Sequence, residues 1–441
     1  MASENQEKKA DWAWEQLIDK YHIDEKVKSD GDFHILAKQI REFREPRLMA
    51  KWDSELSLPA ALKRRHLNIL PVSRKEYVMS DYKLYENLPP FLDQSGRMEM
   101  VHFKDTYESV NLQQISSESN AINVLLLSDV LDRFLESQGT VETFNGRMGT
   151  GAFDFWVNSY SSRQRRVLVE GAQCEIDGGF ENDENVIIME AKNVLHPDFH
   201  IRQLYYPYRL WQERVKKPVR LVFSQYANQI FRLFEYGFTN IENYSSIHLM
   251  RQQYFSLSDI HITKEELIQV WEETEVCTDD REENTSTPFL QADSLERVIS
   301  LLEHIALYPM NTEEIAQLMN FKERQSDYYF QAGAYLGLFE KVLTKEGKVV
   351  RLTSLGRQVY QLPYKERQLK IVSLILEHRI FHDLFLDVIE KKQFPSKEEI
   401  IEKMMRYQVC GLKLMGRRSS SVSGWLHWIF HLTDISTNAG D

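Results

Sequence analysis

Hydrophobic and polar residues alternate in two regions of the chain. NILPV, EYVM and YKLY lie between Leu67 and Tyr85, and short polar turns separate them. AFDFWV, RRVLVEGAQCEIDGGF and ENVIIMEAKN follow the glycine-rich segment GRMGTG (146–151), whose composition predicts a turn. An apolar residue at every second position is typical of a strand. The pattern therefore predicts β-structure in both regions.

Elsewhere the apolar residues recur every three to four positions. SSESNAINVLLLSDVLDRFL (116–135) opens with serines that can cap a helix, and it predicts one continuous helix. Residues 200–214 predict a further helix, and residues 219–223 predict a strand. Helix, antiparallel strands, helix and strand in this order predict an α/β domain with a mixed sheet.

The C-terminal part of the chain has a different order of elements. DSLERVISLLEHIA, TEEIAQLM and residues 326–336 predict three helices, and KVLTKEGKVVRLT predicts a β-hairpin. Three helices followed by a hairpin form the order of a winged helix-turn-helix. We therefore predict a winged helix here, with further helices and a basic, serine-rich segment (411–430) after it.

Composition suggests where the domains meet. EETEVCTDDREENTST (272–287) is acidic and poor in apolar residues, which predicts a solvated linker. LPP and DQSG interrupt the pattern near 87–97. These seams predict four parts: an N-terminal α+β domain that could take part in DNA recognition, an α/β domain, an acidic linker and a C-terminal region, at 1–95, 96–271, 272–292 and 293–441.

The overall charge adds a constraint. A formal net charge of -12 over 441 residues argues against a uniformly basic nucleic-acid-binding protein. Residues 391–418 nevertheless hold eight bases and three acids, a local surplus suited to phosphates. All apolar runs are much shorter than the roughly 20 residues that a bilayer requires, and no signal-peptide pattern is visible. We therefore expect a cytoplasmic protein that does not bind a membrane.

Charged residues cluster on two of the predicted strands. Glu175 and Asp177 are separated by twelve residues from Glu190 and Lys192, and the period of a strand places each pair on one face. The intervening FENDEN predicts a turn, so a hairpin brings three acids and a lysine together. A hairpin with one face in solvent shows the same alternation of charged and apolar residues without any metal site. The apolar VIIM before Glu190 predicts burial, where unpaired charge is costly, and we therefore favour a metal site.

Asp177, followed across the hairpin by Glu190-Ala191-Lys192, resembles the active-site motif of the PD-(D/E)XK nuclease superfamily, and of type II restriction endonucleases in particular. The resemblance covers about residues 115–230, with Ile176 where the motif has proline. Residues 44–53 and 69–79 more weakly resemble the N-terminal regions of such proteins. The resemblance implies a PD-(D/E)XK restriction-endonuclease-like core, a mixed sheet flanked by helices.

The resemblance also implies roles for these residues. Asp177 and Glu190 would bind Mg²⁺, with the Ala191 carbonyl as a further ligand and Mn²⁺ as a substitute. Lys192 would orient or deprotonate the attacking water, helped if burial lowers its pKa.

Two further acids are candidates for the same site. Glu118 matches the helix-borne glutamate that many members add to the metal site, although an acid at a helix N terminus is also favoured by the macrodipole. Glu175 either joins the site as an additional acid or lies at its rim. The sequence leaves both questions open.

Other residues are expected to contact double-stranded DNA. The helix after the lysine strand often positions the DNA backbone in this superfamily, which implies Gln203 and Arg209, and Arg147 lies in the glycine-rich segment. The C-terminal helices and wing supply the remaining candidates: Arg324, Gln325, Ser326, Tyr328, Lys345, Lys348, Arg351, Arg417, Arg418, Ser419 and Ser420. Winged helices also bind proteins, so DNA readout is one of two interpretations of this region.

Together these features predict a site-specific, Mg²⁺-dependent DNA endonuclease of a type II restriction system. We expect a homodimer, at least during cleavage, and a cognate DNA methyltransferase as genetic partner. Two alternatives are a DNA-binding regulator with a degenerate nuclease fold and a structure-specific repair or recombination nuclease.

Overall fold

A computed structural model describes residues 4–90, 97–101, 117–257, 261–276, 287–319, 323–344 and 347–437, together with 103, 107–110, 112, 115 and 281. The chain forms two compact units. The first unit comprises residues 1–91, 117–225 and 232–253, and the second comprises 92–116, 226–231 and 254–441. Residues 1–91 lie in the same compact unit as residues 117–225, and residues 10–79 also contain a hydrophobic core cluster of their own. The separate domain expected at 1–95 stays a prediction.

The N-terminal part of the first unit packs five helices against a small antiparallel sheet. Trp14, Leu17 and Ile18 are fully buried because the apolar positions of the first helix recur every three to four residues. The helices are α1 (Glu4–Tyr21), α2 (Ile23–Asp30), α3 (Ala37–Ile40), α4 (Arg47–Ala50) and α5 (Ala60–Lys63). The strands are β1 (Phe33–Leu36), β2 (Asn68–Pro71), β3 (Glu76–Ser80) and β4 (Tyr85–Asn87), with β3 between β1 and β2.

A seven-stranded mixed sheet dominates the middle of the chain, as the alternation predicts. The additional strands are β5 (Arg97–Met100), β6 (Val141–Gly149), β7 (Ala152–Asn158), β8 (Gln164–Glu170), β9 (Gln173–Glu181), β10 (Val186–Lys192), β11 (Asp198–His200), β12 (Val219–Ala227), β13 (Ile230–Phe238) and β14 (Ile247–Ser256). The strand order of the sheet is β5-β14-β13-β12-β10-β9-β6. Strand β10 runs parallel to β12 and antiparallel to β9. Strands β7 and β8 form a separate hairpin, and β11 pairs with β4.

The helices of this region differ from the prediction at two points. The helix expected at 116–135 is divided into α6 (Glu118–Leu127) and α7 (Val130–Leu135). Asp129 adopts a left-handed conformation at the break, and Ser128 donates its hydroxyl to the Val124 carbonyl. Such local bonds from Ser and Asp compete with the helix. The next helix, α8 (Arg202–Gln212), begins two residues later than expected because His200 ends β11.

The glycine-rich segment 146–151 is largely a strand and not the expected turn. It continues β6 as far as Gly149, and Gly146 has a positive φ of 88° beside two shifts in the register with β9. A glycine at a bulge allows the strand to bend without ending its pairing.

One hydrophobic core explains why residues 1–91 belong to the first unit. Leu70 and Val78, from β2 and β3, pack in the same buried cluster as Phe155 of β7, Val167 of β8 and Tyr206 of α8. The sequence seam near residue 90 therefore does not coincide with a break in the core.

The second unit is mainly helical. Its helices are α9 (Lys264–Glu273), α10 (Leu295–Leu307), α11 (Thr312–Met319), α12 (Glu323–Tyr335), α13 (Ser354–Gln361), α14 (Tyr364–Leu376), α15 (Arg379–Lys391), α16 (Lys397–Tyr407) and α17 (Leu412–Thr437). The hairpin β15 (Phe339–Thr344) and β16 (Gly347–Leu352) follows α12, so the expected order of three helices and a hairpin is present. Much of the acidic linker lies outside the described residues. Within the described chain, no helix has both the length and the apolar character that a membrane crossing requires.

Candidate active site

The candidate site lies where β9 and β10 stop pairing. The predicted hairpin is present, and the Asn182 side chain closes its turn by accepting the backbone N–H groups of Glu184 and Asn185. The described register ends at Gly178 opposite Met189. Asp177 and Glu190 are the next residues on their strands, so the two carboxylates emerge beside each other where the ladder ends.

Beyond the last backbone pair of β9 and β10, a side-chain hydrogen bond joins the two strands. The backbone N–H of Ala191 donates to Asp177 Oδ2 at 3.0 Å. On the other side of β10, the pairing with β12 continues through Ala191 and Lys192. Asp177 is therefore fixed against a strand that is itself held by the sheet.

Helix α6 brings a third carboxylate to the same place. The Ser117 hydroxyl caps this helix by accepting the N–H of Asn120, and Glu118 is its first residue. Glu118 Oε1 lies 3.4 Å from Lys192 Nζ.

Lys192 is surrounded by acids. Its Nζ donates to Glu190 Oε1 at 2.6 Å, and its side chain is 13% exposed. Burial acts to lower the pKa of Lys192, but the carboxylates of Glu190 and Glu118 more than offset this and hold the pKa well above its ordinary value. The acids therefore favour the protonated form of the ammonium in this arrangement.

Glu190 is the most buried acid of the site, at 6% exposure. Burial raises the pKa of Glu190 to about 8, although the neighbouring Lys192 acts to lower it. Gln203, in the first turn of α8, donates its amide to Glu190 Oε1. The Gln203 side-chain oxygen is buried and has no hydrogen-bond partner among the residues that the structure describes. Gln203, which the sequence predicts to contact DNA, contacts Glu190 in this structure.

The donor chemistry of the site fits Mg²⁺. No group of three or more His, Cys, Asp or Glu side chains in the described chain is arranged as a metal site. Asp177 and Glu190 nevertheless offer two carboxylates, the Ala191 carbonyl directly follows Glu190 in sequence, and the Gln203 amide oxygen has no partner in the described chain. Mg²⁺ usually keeps several waters and binds only one or two protein carboxylates together with substrate phosphate. Two hard carboxylate ligands are therefore sufficient for this ion.

Glu175 and Arg147 lie at the rim. They face each other across β9 and β6, with Arg147 Nε 3.1 Å from Glu175 Oε1. Both side chains are about half exposed, and Lys51 Nζ approaches Glu175 Oε2 at 4.0 Å. This pairing favours the rim role for Glu175.

The site opens into a cleft of about 390 Å³ whose other wall comes from the N-terminal part of the unit. Asp53 lies there and raises the pKa of Glu190. Its Oδ1 is buried without a hydrogen-bond partner in the described chain, and its backbone carbonyl accepts the His200 N–H. The cleft residues that sequence reasoning missed are Arg47, Lys51, Asp53, Arg74 and Arg202. The available signals were the weak resemblances of residues 44–53 and 69–79, and the second of these contains Arg74.

Arg209 has a structural environment. Its Nη1 donates to the carbonyls of Asp154 and Ile241 and to the Tyr205 hydroxyl, at 2.8 to 3.2 Å. These bonds hold the guanidinium against the protein, and the expected contact of Arg209 with the DNA backbone stays a prediction.

The C-terminal candidates for DNA contact do not form one exposed set. Ser326, Arg418 and Ser419 are buried, at 1%, 5% and 1% exposure, so they are not available to DNA in this structure. Arg417 donates to Gln291 and lies over the Tyr328 ring. Arg351 pairs with Glu340, Lys348 and Ser420 are exposed, and Gln325 is half-buried. Lys345 and the Arg324 side chain lie outside the described residues.

Comparison with known families places this chain beside proteins whose function is undefined. Three family models match, each described as a domain of unknown function: DUF6996 at residues 11–79, DUF6997 at 80–256 and DUF7226 at 297–434. Neither the curated proteins nor the solved structures contain a significant match. The candidate acids therefore belong to the segment similar to DUF6997, and part of the cleft wall belongs to the segment similar to DUF6996.

Proposed function

We propose that this protein is a site-specific, Mg²⁺-dependent endonuclease that hydrolyses double-stranded DNA, of the type II restriction kind and with a PD-(D/E)XK core. One observation carries the proposal: Asp177 and Glu190 meet where two strands stop pairing, with Lys192 in contact with Glu190. Phosphodiester hydrolysis requires an activated water and a site that tolerates gathering negative charge, and this arrangement provides groups for both.

Asp177 and Glu190 would hold the Mg²⁺, with the Ala191 carbonyl completing the protein ligands. The ion supplies a more acidic water and neutralises charge on the phosphate. The Asp177 carboxylate is oriented by the Ala191 N–H, and Gln203 orients Glu190 from α8. Lys192 would place a positive charge beside the scissile phosphate, because the surrounding acids favour its protonated form.

The remaining parts of the proposal concern recognition. The three helices and hairpin at 295–352 support a winged helix that contacts DNA, and its exposed Lys348 is suited to a backbone phosphate. Cutting both strands requires two active sites or two successive events, so we propose a homodimer during cleavage. A cognate methyltransferase would protect the host DNA.

Incubation of unmodified plasmid DNA with the purified protein tests the proposal. Discrete fragments are expected with Mg²⁺ or Mn²⁺, and none with EDTA. Tight DNA binding without cleavage in either metal would contradict the enzymatic assignment and favour a DNA-binding regulator. Cleavage confined to branched DNA would contradict sequence specificity and favour a structure-specific nuclease.

Lys192→Ala is the sharpest variant for this assay. It should abolish cutting and leave DNA binding in EDTA largely unchanged, because it removes the charge at the reacting centre. Lys217→Ala is the matched control: Lys217 is also ion-paired, with Glu181 at 2.6 Å, but it lies at the other end of β9. Equal activity of the Lys192→Ala and control variants would exclude the proposed site.

A further inference from the structure

Three arginines line the candidate cleft without an acidic partner in the described chain. Arg47 is the first residue of α4, Arg74 lies between β2 and β3, and Arg202 is the first residue of α8. Arg47 and Arg74 are exposed and Arg202 is half-buried. The other basic residues of the cleft differ, since Lys51 and Arg147 both have a carboxylate within 4.0 Å.

The surroundings of these arginines suit an anion. Arg202 lines the cleft, and its guanidinium carbon lies over the Tyr206 ring, 5.9 Å from the ring centroid. Ser73, beside Arg74, also lines the cleft. An anion that binds beside these three positive charges is attracted by them. Guanidinium groups match phosphate in both shape and charge.

We propose that Arg47, Arg74 and Arg202 bind a backbone phosphate of the DNA other than the one that is cleaved. This inference rests on the proposed function and deepens it. The carboxylates of Asp177 and Glu190 would repel a phosphate unless a cation lies between, whereas the arginines attract one directly. The N-terminal wall thus contributes affinity and placement, and it reads no sequence, because phosphate contacts are common to every duplex.

The test is DNA binding by the full-length protein in EDTA, where no cleavage occurs. Fluorescence anisotropy with a labelled duplex, measured between 50 and 200 mM salt, gives the affinity and its salt dependence. Arg47→Gln and Arg74→Gln should each reduce the slope of log K against log salt by about one. The loss should be equal on two unrelated sequences.

Arg163→Gln is the matched control. Arg163 is exposed and has no ion-pair partner in the described chain, but it lies outside the cleft. Its removal changes the net charge equally and should leave the slope unchanged. Equal losses in the control and cleft variants would show an effect of overall charge only and would overturn the inference. Unchanged melting temperatures exclude misfolding as the cause.

Competition with inorganic phosphate distinguishes a site for DNA from a site for a free anion. Displacement of the duplex by micromolar phosphate in the wild type, but not in the Arg47→Gln/Arg74→Gln double variant, would assign the site to a small anion and overturn the DNA proposal. The two proposals can also fail separately. If the arginines are required for DNA binding but the protein never cuts DNA, this inference stands and the proposed function fails. If the protein cuts DNA but the double variant binds DNA normally, this inference is overturned.

Discussion

Three arginines of the candidate cleft and five basic residues of the second unit have different surroundings. In the first unit, the cleft holds Arg47, Arg74 and Arg202, none of which has an acidic partner in the described chain. In the second unit, many of the basic residues are paired: Lys341 with Asp327, Arg351 with Glu340, Arg367 with Glu303, Lys391 with Glu399 and Lys403 with Asp387.

This difference shows that not every base counted in a sequence is an available charge. Residues 391–418 attracted attention because bases outnumber acids there. Their structure pairs Lys391 and Lys403 and buries Arg418. The first unit and the linker hold most of the acids of the chain, yet the first unit presents three unpaired guanidinium groups in one cleft. The position of each charge relative to its neighbours decides what it can bind.

Beyond the Lys192 variant, the largest effect is expected from Asp177→Asn, which removes a ligand charge and keeps the shape of the side chain. The loss of metal-assisted stabilisation should lower the rate of DNA cleavage roughly a thousandfold, equivalent to about 4 kcal/mol. Single-turnover cleavage of a labelled duplex measures this rate. Glu175→Gln is the control on the same strand and should reduce the rate less than about fivefold. A similar loss in both variants would make Glu175 part of the metal site.

Arg367→Ala tests whether paired bases of the second unit are structural. Arg367 is 2% exposed, and its guanidinium donates to Glu303 at 2.8 Å and to the Tyr360 carbonyl. Removing one partner of such a buried pair costs about 3–5 kcal/mol, so the melting temperature measured by calorimetry should fall by several degrees. Arg351→Ala, in an exposed pair, should cost less than about 1 kcal/mol. Equal shifts would contradict the distinction between buried and exposed pairs.

The third prediction concerns the buried, neutral imidazole of His200 in the first unit and its effect on the pH dependence of stability. Burial lowers the pKa of His200 well below 6.5, with a smaller contribution from Arg202. Below pH 6.5 the imidazole of His200 becomes protonated in the unfolded chain but stays neutral in the folded protein. The free energy of unfolding therefore decreases as the pH falls. At pH 5.5 this loss is about 1.4 kcal/mol.

His200→Asn should remove this dependence. The asparagine side chain can still accept the Arg202 N–H that His200 Nδ1 accepts at 3.2 Å. Comparison of melting temperatures at pH 7.5 and 5.5 should therefore show a smaller decrease in the variant than in the wild type. The same decrease in both proteins would show that His200 is not the responsible group.

The smallest effect is expected in the hairpin of the second unit. Lys348 is exposed and has no acidic partner in the described chain, whereas Arg351 lies 2.8 Å from Glu340. Lys348→Gln should weaken duplex binding about threefold, and Arg351→Gln should change it less, because its charge is already compensated. Anisotropy titrations at one salt concentration measure both. A larger loss of duplex affinity in Arg351→Gln than in Lys348→Gln would contradict the prediction that ion pairing reduces the contribution of a base to DNA binding.

The hairpin of the site could be predicted because its signal is local. Alternation in VIIMEAK and CEIDGGF fixes which residues share a face, and the polar segment between them allows only a short connection. The order of helices and hairpin after residue 293 was predicted from the same kind of local periodicity. The break at Asp129 was not, since its cause is competition between side-chain and helix hydrogen bonds.

The opposite wall of the cleft could not be predicted in the same way. Lys51 lies 4.0 Å from Glu175, although more than 120 residues separate them in sequence. Nothing in the pattern around Arg74 distinguishes a cleft arginine from any exposed turn residue. Such contacts arise from the packing of β2 and β3 against β7, β8 and α8, which single-sequence periodicity does not encode.

The bond between the Ala191 amide and Asp177 also makes this amide a reporter of its neighbour. The proton is bound by a carboxylate in place of a ladder carbonyl, so its resonance frequency and its rate of exchange with solvent depend on the charge of that carboxylate. Any cation, proton or phosphate that approaches Asp177 alters the same signal. A single labelled alanine therefore allows occupancy of the site to be followed by nuclear magnetic resonance, without a substrate and before any reaction takes place.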